Sequence, residues 1–211
     1  MEKITFEDGI FVYKTKIDSY NFQKSVLKEC EDYLINSYAK MDNYSFFGGD
    51  FFDLEKDFIP NNFMEQAVKL CLAECASLAK TNKMNFNIIK SGCWINVVRK
   101  GKPRQTNFKK NDEVSLHNHV DLQKKDGNFY PNYTFVYYLQ MPDNLENNEG
   151  TLIIGGKEGK RYYIMPEVCD LIVMDGTLEH SPNKSPNSTK DRIVIAGNVG
   201  LEYVKEKVSL I

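Results

Sequence analysis

The chain has 211 residues, 42% of them hydrophobic, which suits one domain of ordinary size with a sizeable core. Its 27 basic and 29 acidic residues leave a formal charge of −2, giving no pull toward nucleic acid or an anionic membrane. The opening MEKITFEDG lacks the apolar run of a secretory signal, and no stretch approaches the roughly 18 apolar residues of a membrane span, so a soluble, cytoplasmic protein is expected.

In chain order, Ile4 to Ile17 reads as two short β-rich runs around an Asp8-Gly9 turn. Ser19 can cap a helix running to about Tyr38, with Phe22, Val26, Cys30, Tyr33 and Leu34 on a 3.6-residue period. Residues 41–60 look irregular. Asn61 or Asn62 can cap a second helix ending near Lys80, with Phe63, Ala67, Leu70, Cys71, Cys75 and Leu78 as its buried stripe. From Met84 the texture becomes β-rich runs broken by polar loops: Phe86 to Val98, Thr134 to Met141, Thr151 to Ile154, Arg161 to Met165, Leu171 to Met174, Ile193 to Val199 and Glu202 to Val208. Short strands with Gly, Pro, Asn and Asp between them indicate an antiparallel sandwich or barrel, and helices placed before it should pack on one outer face. One domain, 1–211, is expected, with 1–83 as helical support and 84–211 as the β core. The five cysteines, Cys30, Cys71, Cys75, Cys93 and Cys169, show no disulfide spacing. Cys71 and Cys75 share a helix face where a metal pair is conceivable, but their place in the apolar stripe makes them small core residues.

Only three histidines occur, His117 and His119 in SLHNHVD and His180 in LEHSP. On an extended segment residues i and i+2 point the same way, so His119 and Asp121 converge on one point. His180 can close the set from another strand. Two histidines and one carboxylate form the facial triad of non-haem iron(II) sites, without the thiolates that favour zinc. Three protein ligands leave three open positions, enough for a chelating keto acid and dioxygen. His117 faces the same side as His119 and Asp121 and could replace His119 as a ligand. Pairing with Asp121 favours His119, which leaves His117 as a neighbour near the mouth, a substrate contact or an exposed loop residue.

Six segments, in order and spacing, resemble the prolyl-4-hydroxylase-like branch of the 2-oxoglutarate/Fe(II) oxygenases. They are CWINVVRKG, HVD, NYTFVYYLQ, EGTLIIG, DLIVMDGTLEHS and KDRIVIAGNV, spanning roughly residues 92–200. The resemblance implies a mostly β fold, the double-stranded β-helix or jelly-roll, with the N-terminal helices packed on one sheet. It implies Fe(II) at His119, Asp121 and His180, with 2-oxoglutarate as cosubstrate; ascorbate is a candidate addition to the reaction. Arg192 would hold the distal carboxylate of 2-oxoglutarate, a task suited to a planar guanidinium. Tyr138 would assist it, and Thr134, on the same strand face, would line that pocket; ordinary strand packing is the alternative for both. The chain departs from many relatives at Val98, where they have tyrosine, and at Val194, where they have Ser or Thr. Gly101 to Ser115 is also longer than usual.

The implied reaction hydroxylates a substrate C–H bond and releases succinate and CO2. The substrate is a peptide, protein or small molecule, with a peptidyl proline favoured by the resemblance. Lys102, Arg104, Lys109, Lys110, Lys124 and Lys125 could attract an anionic substrate, or simply be solvated, and Phe108, Phe129 and Tyr130 could form a lid. Two other classes stay open: a cupin-like metalloenzyme without 2-oxoglutarate, with Glu149 as an extra ligand, and a non-catalytic jelly-roll binding module. Arg192 pointing into solvent would favour the first. The oligomeric state is not legible in the sequence.

Overall fold

The computed structural model describes residues 1–17, 20–38, 63–79, 85–98, 100, 116–119, 124–125, 128–129 and 132–204. Two N-terminal strands, β1 (Glu2–Thr5) and β2 (Phe11–Lys16), flank a turn in which Gly9 adopts φ 81°, a left-handed conformation that glycine takes without a Cβ clash. Helices α1 (Tyr20–Tyr38) and α2 (Phe63–Ala79) follow. Then come β3 (Asn85–Val98), the two-residue strands β4 (Lys124–Lys125) and β5 (Asn128–Phe129), β6 (Asn132–Gln140), β7 (Leu152–Gly155), β8 (Arg161–Ile164), β9 (Asp170–Asp175), β10 (His180–Pro182) and β11 (Arg192–Val204).

The strands form a six-stranded antiparallel sheet in the order β1-β2-β9-β6-β11-β3 and a three-stranded sheet in the order β10-β7-β8. Among the described residues, β4 and β5 pair only with each other. This is a jelly-roll with two helices on one sheet, as expected. The central strands lack polar alternation because both their faces are covered. In β6, Phe135, Tyr137 and Leu139 point into a cluster with Val26, Cys30, Ala67, Cys71 and Cys75 of the helices. The intervening Val136 and Tyr138 point the other way, into a second cluster with Leu152 and Ile154 of the small sheet. Burying each such side chain stabilises the fold by roughly 1.5–3 kcal/mol relative to exposure. α1 is tied to this sheet by Gln23, whose buried Nε2 donates to the carbonyl of Leu139.

Three expectations change. The buried face of α2 is Met64, Ala67, Val68, Cys71, Cys75 and Ala79, while Phe63 and Leu70 are exposed. The period was right, but the stripe is rotated toward small residues, which let the helix lie close on the sheet. Phe63 instead meets the edge of Phe22 on α1, ring centroids 6.1 Å apart. The two runs expected at Ile193 to Val199 and Glu202 to Val208 are one strand, β11, continuous through a register shift at Gly200/Leu201. His180 lies on a strand separate from His119, as expected, but that strand, β10, is one that the β-rich runs did not include. The caps expected at Ser19, Asn61 and Asn62 lie outside the described residues, as does the stretch from Gly101 to Ser115. All five cysteines are buried and none forms a disulfide among the described residues, with burial pushing the thiols of Cys30, Cys71 and Cys75 up. No described helix is long and apolar enough to cross a membrane.

Candidate functional site

β9 delivers the chain into DGTLEH, where Asp175 makes a local turn. Its Oδ1 accepts from the backbone N and hydroxyl of Thr177 at 2.8 and 2.6 Å, and its carbonyl accepts from Leu178 N. The turn aims His180 inward. The His180 Nδ1 lies 2.9 Å from the carbonyl of Leu178. A carbonyl only accepts, so Nδ1 carries the proton and Nε2 keeps its lone pair. Burial first, then the neighbouring His117, lower the pKa of His180 to about 3, so the ring stays neutral.

Residues 116–119 run beside this turn. His117 and His180 exchange both backbone hydrogen bonds, at 3.1 and 2.8 Å, and His119 N donates to the carbonyl of Gly176 at 2.7 Å. The amide of Asn132 on β6 donates to the carbonyl of His119 at 2.6 Å. The three imidazoles gather: ring centroids are 4.6 Å apart for His117–His180, 5.0 Å for His117–His119 and 5.2 Å for His119–His180. One ligand nitrogen from each lies within 4.8 Å of the others. Trp94 of β3 tilts against His119 at 5.7 Å. Asp121 lies outside the described residues.

The inner face of the large sheet extends from these histidines to a buried cation. Register fixes its rows: Thr134 with Asn198, then Val136–Ala196–Trp94, then Tyr138–Val194–Asn96, then Arg192 with Val98. At the histidine end, Thr134 Oγ1 donates to Asn198 Oδ1 at 2.8 Å, and Asn198 Nδ2 stands 3.2 Å from His119 Nδ1. Thr134 thus connects to His119 through Asn198. In the middle, Val194 and Ala196 make an apolar floor. At the far end Arg192 is only 3% exposed, its Nε and Nη1 have no hydrogen-bond partner among the described residues, and it lies 5.5 Å from the Tyr138 ring centroid. Burial lowers its pKa, opposed by Tyr138, whose own hydroxyl burial pushes up to about 12. That hydroxyl and the Asn96 Oδ1 also lack partners among the described residues.

A buried guanidinium without an acid beside it is costly and marks a place for an anion. Asn96, Asn198 and Asn132 were missed by sequence reasoning. The available signal was an amide inside an otherwise apolar strand, as in WINVV and IAGNVG. Glu149, considered as an extra ligand, caps its own turn, its Oε2 accepting from Glu146 N at 3.2 Å. It is not in the histidine group. The loop before Arg192 is pinned by Asp143, which accepts from Thr189 Oγ1 at 2.7 Å, Thr189 N at 2.6 Å and Ser188 Oγ at 3.0 Å. These bonds, those from Thr189 foremost, hold the Asp143 carboxyl down at about 2. The side chains of the basic and aromatic loop residues listed above lie outside the described residues.

No family model matches the sequence. No curated protein matches it either. Solved structures do share the fold. A prolyl-4-hydroxylase from Pseudomonas putida superposes with a TM-score of 0.59 at 12% identity, covering 90% of this chain and 91% of its own. A prolyl hydroxylase from Trichoplax adhaerens, in complex with a hypoxia inducible factor oxygen degradation domain peptide, gives 0.61 at 14% identity, covering 92% and 84%. HygX from Streptomyces hygroscopicus, with nickel and 2-oxoglutarate bound, gives 0.52 at 12% identity, covering 90% and 82%.

Proposed function

We propose that this chain is an iron(II)- and 2-oxoglutarate-dependent oxygenase, folded as one domain, that hydroxylates a C–H bond and releases succinate and CO2. The observation that carries the reading is Arg192, a buried cation whose Nε and Nη1 have no hydrogen-bond partner among the described residues, on the sheet face that ends at the histidine cluster. An acid with a chelating head and a carboxylate tail, joined by two methylenes, matches imidazoles at one end, Val194 and Ala196 between, and Arg192 with Tyr138 at the other. HygX holds a metal and 2-oxoglutarate on the same fold, which supports the reading.

The assigned metal ligands are His119, Asp121 and His180, a donor set that suits iron(II). The bound metal and keto acid supply the oxidising chemistry. The chain does the rest. His180 is presented with Nε2 inward by the Leu178 carbonyl. His119 presents Nε2 once the Asn198 amide turns to offer Oδ1 to the Nδ1 proton, its Nδ2 then donating to Thr134. Arg192 and Tyr138 neutralise and orient the tail. Asn96, level with Val194, offers an amide where many relatives have a hydroxyl. Buried Val136 and Val194 keep water from the floor.

The substrate is a peptide or small molecule. A peptidyl proline is the first to try, because the resemblance favours it and a structural neighbour is held with a peptide. A buried Arg192 disfavours the cupin-like alternative, which needs no carboxylate anchor. The test is succinate release with iron, ascorbate and candidate substrates. His180→Ala and Asp121→Ala should each abolish it, and unchanged turnover in either would defeat the assignment.

A further inference from the structure

We propose that His117 is a third imidazole donor to the metal, bound in the resting state and displaced when the keto acid chelates. This rests on the proposed reading that His119, Asp121 and His180 hold a metal. Two nitrogens on one ion, each about 2.1 Å from it, stand at most about 4.2 Å apart. The three candidate nitrogens already lie within 4.8 Å of one another, so small ring rotations close the set. His117 is as near to His119 and to His180 as those two are to each other.

The placement is built into the backbone. Paired hydrogen bonds in both directions lock His117 opposite His180, which puts their side chains on one side of the ladder. His117 and His119 are two residues apart on the same extended segment and share that side. His117 is half-buried, not the exposed loop histidine that sequence allowed. Neutral imidazole is a good donor for iron, cobalt and zinc alike.

Counting positions gives the consequence. With His119, Asp121 and His180, a bound His117 makes four protein donors and leaves two of six positions. A chelating keto acid would fill both, leaving none for turnover, so His117 has to leave when the cosubstrate binds.

The experiment is an imidazole count on the full chain loaded with cobalt(II). Each coordinated imidazole contributes one exchangeable, hyperfine-shifted N–H proton resonance, and X-ray absorption multiple scattering gives an independent count. Three imidazoles are expected in the wild type, two in His117→Gln, and two in the wild type after 2-oxoglutarate is added. His117→Gln should also weaken cobalt binding at least about 10-fold. A wild-type count of two that His117→Gln leaves unchanged overturns the proposal, and a count still at three with 2-oxoglutarate bound overturns the displacement. Three imidazoles with no 2-oxoglutarate binding sustains His117 as a donor while sinking the cosubstrate reading. Failure to bind cobalt sinks both.

Discussion

Arg192 combines a long side chain, near-complete burial and the absence of an acid among the described residues. Such a group costs the ligand-free fold stability and repays it only when an anion arrives. Arg192→Met should therefore stabilise the ligand-free protein by about 1–3 kcal/mol, raising its melting temperature by roughly 2–4 °C for each kcal/mol. The same variant should bind 2-oxoglutarate about 100-fold more weakly, since a charge-assisted pair is lost. Calorimetry reads both, and a fall in stability together with unchanged affinity would contradict the account. His180 gives a pH dependence. Its folded pKa of about 3 lies below the ordinary 6.5, so between those values the unfolded chain binds the extra proton. Stability of the metal-free protein should fall as pH drops below 6.5, by roughly 1.4 kcal/mol per unit for this group, and His180→Leu should flatten that slope. The histidines and Arg192 could be read from the sequence because few residue types do their chemistry. Asn96 and Asn198 could not, because their meaning lies in cross-strand register, which pairs Asn96 with Val194 and Asn198 with Thr134.

The turn that carries His180 works as a clamp. The Gly176 carbonyl accepts from His119 N, and Asn132 grips both sides, donating from Nδ2 to the His119 carbonyl and accepting from Gly176 N. A Cβ on Gly176 would sit 2.2 Å from the Asn132 amide nitrogen. Gly176→Ala should push that amide off His119 and lower metal affinity about 10- to 100-fold, the range for residues that orient ligands, and Asn132→Ala should do the same. Metal titration followed by fluorescence of the single Trp94 would check it, and wild-type affinity in both variants would remove the clamp from the account. Long elements were legible because their apolar periods repeat: both helices, the first hairpin and most strands appear where expected. β10 was not, because three residues ending in Ser-Pro carry no period. The rotated face of α2 was missed because Phe63 and Leu70 outrank Val68 and Ala79 in hydrophobicity, while fit against the sheet favoured the smaller set.

Across the molecule, the large sheet is covered on both faces, by helices outside and the small sheet inside. The site is a property of the inner face alone. The outer face holds Cys30, Cys71, Cys75 and Cys93 in one packed cluster, all buried. Thiol reagent should label none of the five cysteines in the native protein and all five after unfolding; rapid native labelling would contradict this packing. An antiparallel sandwich or barrel was legible as a whole because strand-rich sequence after two helices leaves few ways to bury both sheet faces, and the family resemblance narrowed it to the jelly-roll. The central claim is that the histidine end and the Arg192 end of one face form a single site for one ligand. Calorimetric titration of 2-oxoglutarate into the chain, with and without manganese(II), tests it most directly. The account predicts binding with the metal present and at least about 100-fold weaker binding without it. Equal affinity in both titrations, or none in either, would contradict it.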